Sequence, residues 1–458
     1  MPKHSRDQET KVIRLKDYRQ EEPQPQTSGE PPEEMSQPLA QYEYEEEASQ
    51  EEYTRNRERR QLPRAVYHIS LALLAVVIGL SLWVNREYLT WDHMKEWARL
   101  QLKGPNAGDG YPVGITGADV YEGNFLSAGG SVLVLSNTAF TSVNGDGKEE
   151  FSLRHSLNRP VLQAAGGKYL LYNRGSTGYL LVSGGRVAVE AVSGEDIICG
   201  SAAPNGKYAL GLEGSHGASK LEVYMPDGSL QYEYPFANDY ITAIALNHDG
   251  SFGAVCTVCS EKGEMVSRLT VLDFTQTDPV AQYETRDNLL LAASWGENGV
   301  IYSVGDGAML SATSPDYQFT EVSYQGRQLT AFALSAGRAF LSISAYEHAG
   351  DSALLIYNGA EAYSEANPVR IDRDTRVEAL SVSGGVVGML AGGDVIFCDY
   401  VTGMELGRAD AGPDAKSIAL SSESRAYVLG VSEIRTVSAN GKEADAPSSP
   451  QPEPSSVD

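Results

Sequence analysis

Apolar residues recur along most of this chain in short runs, each broken by a Gly-rich or Asn-Gly turn and followed by a second run. The phrase is found at 127–136 (SAGGSVLVLS), 163–172 (QAAGGKYLLY), 201–212, 245–256, 293–304, 333–343, 381–390 and 419–430. The first strand residues after these turns are Val132, Tyr169, Tyr208, Phe252, Val300, Ala339, Val386 and Ala426. Their spacing runs from 37 to 48 residues and averages 42. A period of ~40–45 residues with four strands per unit is that of a β-propeller blade.

The second half of each unit agrees. A third strand and a tight turn follow, as in KLEVYMPDGSLQYEY (220–234), with Asp227-Gly228 at the bend. Asn144-Gly145, Ser183-Gly184-Gly185, Thr402-Gly403 and Asn440-Gly441 mark similar turns, because Gly and Asn accept the positive φ that hairpins require. The last unit stops after its third strand, EIRTVSANG (433–441), and an unassigned apolar stretch, Tyr111–Thr116, precedes the first. The pattern therefore predicts an all-β fold over 105–442, a propeller of about eight four-stranded blades closed by exchange of that amino-terminal strand. Seven blades result if one weak unit, the seventh, is absorbed elsewhere.

A different pattern governs residues 1–104. Residues 65–84, from Ala65 to Val84, form an apolar run with no acidic or basic side chain apart from His68. At 1.5 Å per residue it spans the ~30 Å hydrocarbon core of a bilayer. It lies too far from the amino terminus and runs too long for a cleaved signal peptide. Arg55, Arg57, Arg59, Arg60 and Arg64 precede it, whereas Arg86 alone follows within ten residues. The positive-inside rule then predicts a single-pass cell-membrane protein, amino terminus in the cytoplasm and propeller outside. Residues 85–104 read as a juxtamembrane stalk or a plain linker, with Trp91 and Trp97 near the interface.

Composition sharpens the ends of the chain. From Glu21 to Thr54 there are eleven Glu and no Lys or Arg, so residues 1–64 read as a disordered acidic tail. Within it, Val12, Ile13, Leu15 and Tyr18 alternate with basic residues, as a candidate cytoplasmic docking motif or ordinary solvated sequence. Residues 443–458 are Pro/Ser-rich and read as a flexible tail. The net charge of −25, from 36 Lys plus Arg against 61 Asp plus Glu, argues against a nucleic-acid partner, which needs a basic stripe. Four Cys in 458 residues exclude a disulfide-built scaffold.

Catalytic templates are absent. No H-E-x-x-H or G-x-S-x-G occurs, and Asn144-Gly145-Asp146-Gly147 lacks the further ligands of a calcium loop. Cys256-Thr257-Val258-Cys259 lies in a strand, where positions i and i+3 face opposite ways, so it reads as structural and not as a zinc knuckle. No catalytic residue, metal ligand or cofactor is assigned. Loop length offers another guide. Long connections between second and third strands are expected in units three (Glu213 to Ser219), four (Ser260 to Ser267) and six (Tyr346 to Ser352). Emerging on one face, they bring Glu213, His216, Glu261, Glu264, Glu347, His348 and Asp351 into a candidate acidic binding face. Neutral drift of loop length is the alternative.

The phrases PNGKYAL (204–210) and NHDGSFGAV (247–255) resemble WD-repeat-like and TolB-like propeller repeats. Asp399-Tyr400-Val401-Thr402-Gly403 is similar to the D-x-x-T-G turn of quinoprotein-like propellers, but it occurs once and lacks the Trp that follows it there. No quinone site carries over. The whole layout resembles an uncharacterised bacterial family of single-pass proteins with an extracytoplasmic propeller, a resemblance that implies architecture and location only. The expected function is a non-enzymatic, membrane-anchored interaction or scaffold module with a protein partner on the outer side. The alternative is a small-ligand sensor or enzyme using the propeller channel, signalling to the cytoplasmic tail.

Overall fold

The computed structural model describes residues 108–335, 337–345, 351–358 and 368–440, together with Leu73. The acidic tail, its Val12/Ile13/Leu15/Tyr18 motif, the apolar run from Ala65 to Val84, the 85–104 segment and the 443–458 tail lie outside the described residues. Among the described residues no helix is long and apolar enough to cross a membrane.

Eight four-stranded antiparallel sheets follow one another, the first seven of them meanders whose strands hydrogen-bond in sequence order. Blades one to seven comprise residues 120–154, 160–192, 197–236, 240–286, 290–323, 328–373 and 377–410. The eighth takes Ser417–Ser422, Arg425–Leu429 and Glu433–Ser438, and Val113–Gly114 adds its outermost strand. The repeat is thus eightfold, and the weak seventh unit is a blade in its own right.

Burial explains why these segments take these places. Second and third strands are buried on both faces, as in Ser131–Ser136 and Tyr208–Glu213, because a neighbouring blade covers each side. Fourth strands alternate instead, as in Glu149–Arg154 and Leu230–Phe236, because their outer edge meets water. Eight apolar clusters result, one at each seam between consecutive blades. Leu221 and Val223 of blade three pack with Ile244, Leu246 and Val255 of blade four; Val132 and Val134 of blade one pack with Tyr427, Leu429 and Ile434 of blade eight. Each fully buried Leu removes enough apolar surface to contribute about 2 kcal/mol.

The innermost strands of adjoining blades do not pair, so side chains complete their hydrogen bonding. Asn124 Nδ2 donates to the Pro160 carbonyl at 2.7 Å, and its Oδ1 accepts from the Leu162 amide at 2.9 Å. Ser201 Oγ accepts from Leu246 N–H, Thr242 Oγ1 donates to the Leu290 carbonyl, and Ser381 Oγ accepts from Leu420 N–H. A bulge recurs near the start of these strands, leaving Ile198, Thr242, Leu291, Thr330 and Glu378 as the extra residue in blades three to seven. A bulge adds bend and twist where the strand borders the ring's centre.

Closure follows the predicted exchange. Val113 pairs with Ile434 and Gly114 with Glu433, and Ile115 N–H donates to the Ser432 carbonyl at 3.0 Å. The Tyr111 ring packs at a tilt against Tyr427, centroids 5.5 Å apart, and its hydroxyl donates to the Asn144 carbonyl at 2.8 Å.

Candidate functional site

The connection expected to be long in unit four is not a loop. Strands Phe252–Glu261 and Glu264–Asp273 run ten residues each and join through a two-residue turn, Lys262-Gly263, with φ of 54° and 88°. Positive φ at both positions suits the right-handed twist of a hairpin. The extra sequence was spent on strand, and alternation along Ser260–Ser267 is too loose to reveal it.

This hairpin outgrows its own blade. The inner strand pairs no further than Tyr240 with Val258, and the outer strand no further than Arg286 with Val266. Cys259 still faces Val266, and beyond that pair Ser260–Met265 and Glu261–Glu264 pair only with each other. The tip is therefore a two-stranded finger with both edges free, on the face where second-to-third-strand turns emerge.

An ionic network braces its base. Arg268 sits directly across from Glu284, and its side chain is only 15% exposed. It binds Asp239 and Glu261 at short range, reaches Glu284 at 3.2 Å and donates to Cys259 Sγ at 3.1 Å. Burial opposes the charge on Arg268, but the hydrogen bond to Glu261 and the charge of Asp239 outweigh it and raise its pKa. The Arg268 hydrogen bond holds the Glu261 carboxyl below its usual range. Arg286 holds Glu264 at 3.0 Å, Glu284 at 2.8 Å and Glu261 at 3.5 Å. In blade three, Lys220 bridges Glu195 at 2.8 Å and Glu222 at 2.7 Å.

The expected face is thus not a bare acidic cluster. Glu261 and Glu264 are ion-paired, and their mutual repulsion is relieved by two guanidinium groups. The patch keeps a negative excess, since Glu195, Glu222, Asp239, Glu261, Glu264 and Glu284 outnumber Lys220, Lys262, Arg268 and Arg286. Glu213 ends its strand in the adjoining blade, exposed, with its amide on the Asp196 carbonyl. His216 is exposed in the 214–218 loop, and the hydrogen bond from Lys220 lowers the nearby Glu195 pKa. Asp351 lies on blade six, 3.7 Å from Arg327, and belongs to a separate group. Glu347 and His348 lie outside the described residues. Arg268, Arg286, Asp239 and Glu284 escaped sequence reasoning, because opposite charges meet here only through strand register.

Cys256 and Cys259 face apart: Cys256 Sγ is 3.2 Å from Ser303 of blade five, while Cys259 meets Arg268. All four Cys are free. Among the described residues no group of three or more His, Cys, Asp or Glu is arranged to hold a metal ion.

A family model described as "Family of unknown function (DUF5711)" matches residues 114–359. No curated protein matches. Similar solved structures include the crystal structure of Sqt1 from Saccharomyces cerevisiae, at 11% identity and a TM-score of 0.47, covering 71% of this chain and 99% of that one. The Dos1 propeller is similar at 12% identity and 0.46, covering 61% and 77%. The Cps50 (Swd1) β-propeller domain from Myceliophteria thermophila is similar at 13% and 0.43, covering 71% and 98%.

Proposed function

This chain belongs to the DUF5711 family of unknown function, and from its surfaces we propose that it is a membrane-anchored scaffold whose propeller docks a protein partner outside the cytoplasm. The observation that carries the docking role is the blade-four finger. Braced at its base by Arg268, it presents free strand edges and the exposed Met265 beyond the body of the sheet. Free edges are normally shortened or covered because they invite pairing with another chain. A projecting one suits recognition by strand addition, with backbone bonds giving affinity. Its negative excess favours a partner segment bearing Lys or Arg.

Anchoring and orientation rest on the apolar run from Ala65 to Val84 and its five preceding Arg residues. A cysteine in place of Asp227, at an exposed turn, is expected to react with a membrane-impermeant maleimide in intact cells. Labelling only after lysis contradicts the orientation.

The docking role is tested by removing Ser260, Glu261, Glu264 and Met265 together. The Lys262-Gly263 turn then closes directly on the Cys259–Val266 pair, preserving register and fold. In-cell cross-linking of the shortened protein should lose the wild-type adduct while its melting transition persists. An unchanged adduct pattern contradicts the reading.

A further inference from the structure

At the opposite ends of the strands from the finger, a cleft of about 510 Å³ opens between blades one and two. It is lined by Ser131, Ser142, Glu150 and Phe151 on one side and by Tyr169 and Arg186 on the other. Its origin lies in turn chemistry. Blades one and two join their first two strands through Gly129-Gly130 and Gly166-Gly167, and Gly167, with Gly184 and Gly185 of the next turn, lines the cleft without a side chain to fill it. Blades three and four use longer turns that bridge instead: Asn205 Nδ2 donates to the Asp249 carbonyl at 2.6 Å, and Lys207 Nζ to the Gly250 carbonyl at 3.2 Å. At blades seven and eight, where Gly384-Gly385 recurs, Glu423 closes the gap by accepting from Gly385 N–H at 2.9 Å. Among the described residues no such hydrogen bond bridges the turns of blades one and two. A Cβ built on Gly167 or Gly184 would meet open space.

Opposite charges line this space without neutralising each other. Among the described residues neither Arg186 nor Glu150 has an ion-pair partner. Glu150 Oε2 accepts a hydrogen bond from Ser142 Oγ at 2.6 Å, which leaves the other carboxylate oxygen available. Arg268, Arg286, Arg408 and Arg435, by contrast, each sit in an ion pair. Aromatic rings support the apolar part: Phe140 packs edge-on against both Phe151 and Tyr169, at 5.3 Å in each case. The cleft therefore offers one cation, one anion and an aromatic floor, in a volume within the ~300–1,000 Å³ range of small-ligand sites.

We propose that this cleft binds a short peptide with free ends, its carboxylate on Arg186 and its ammonium on Glu150. A ligand carrying both charges satisfies both groups at once, whereas a simple anion or cation meets one partner and one like charge. The site is independent of the finger, which faces the other way.

Calorimetric titration of the full chain in detergent with tri-alanine tests it. Saturable binding is expected. N-acetylation or C-amidation of the peptide should each weaken binding about tenfold, the scale of one charge-assisted hydrogen bond. Replacement Glu150→Gln should abolish sensitivity to acetylation alone, and Arg186→Gln sensitivity to amidation alone; Arg186→Lys should restore the latter in part. Both positions are exposed, so circular dichroism should show an unchanged fold. Absence of binding, or binding indifferent to both blocking groups in the wild type, overturns the proposal.

Discussion

Tyr427 donates its phenolic proton to the Gly130 carbonyl at 2.6 Å, across 297 residues of sequence. The bond joins the last blade to the first, beside the strand that Val113–Gly114 adds to blade eight. Closure therefore depends on contacts that no local segment can make alone. Replacing Tyr427 with Phe should cost about 1 kcal/mol, because water can reach the turn carbonyl that loses its donor. Removing residues 108–116 should do far more, stripping the cover from the edge of Glu433–Ser438. Chemical unfolding should then lose its single cooperative transition; a transition like that of the intact protein contradicts strand exchange.

Asn124 makes the corresponding prediction inside the ring. It is 1% exposed and satisfies the Pro160 carbonyl and the Leu162 amide together. Changing Asn124 to Ala orphans a buried acceptor and a buried donor. A loss of about 2–4 kcal/mol is expected in denaturant titration, against under 1 kcal/mol for an exposed polar residue.

Arg268 and Arg286 separate two kinds of ion pair. Changing Arg268 to Met leaves Asp239, only 19% exposed, without its cation and should destabilise blade four by about 2–3 kcal/mol. Lys at position 268 should recover part of this, since one ammonium cannot reach Asp239, Glu261 and Glu284 in the same fork. The same truncation at Arg286, which is 45% exposed, should cost less than about 1 kcal/mol. Equal losses at the two positions would contradict the assignment of Arg268 as the brace.

His155 carries the pH prediction. Its Nδ1 accepts from the Leu157 amide at 3.2 Å, which leaves Nε2 to donate to the Ser136 carbonyl at 3.1 Å. Burial lowers its pKa, and the Ser136 bond only partly offsets that. The folded value thus lies below the unfolded value of about 6.5. The unfolded chain binds the proton more readily, so the stability from neutral His155 is full above that pH and declines as pH falls through the folded pKa. An NMR titration should place His155 below the unfolded value of about 6.5, and His155→Gln should remove this part of the acid sensitivity. A normal His155 titration contradicts the neutral, doubly bonded ring.

Blade number and strand exchange were legible in the sequence because both depend on period. The turn positions repeat from Val132 to Ala426, and the missing strand of the last unit matches the surplus at Tyr111–Thr116. The finger was not legible. Ser260–Ser267 mixes Glu, Lys, Gly and Ser as a loop does, and Ser260–Met265, which pairs with no third strand, is under no demand for apolar alternation. The 129–130 and 166–167 glycines signalled turns, but the cleft arises from side chains that are missing at a seam. Only the packed neighbours disclose that, as only strand register sets Arg268 opposite Glu284.

The docking claim is tested most directly at the finger tip. A photoreactive residue in place of Met265 should, on irradiation of living cells, give one discrete higher-mass adduct. The same residue in place of Val401, which is 66% exposed at the other ends of the strands, should not give it. That contrast is the predicted result. An identical adduct from both positions, or none from position 265, contradicts the finger as the docking element.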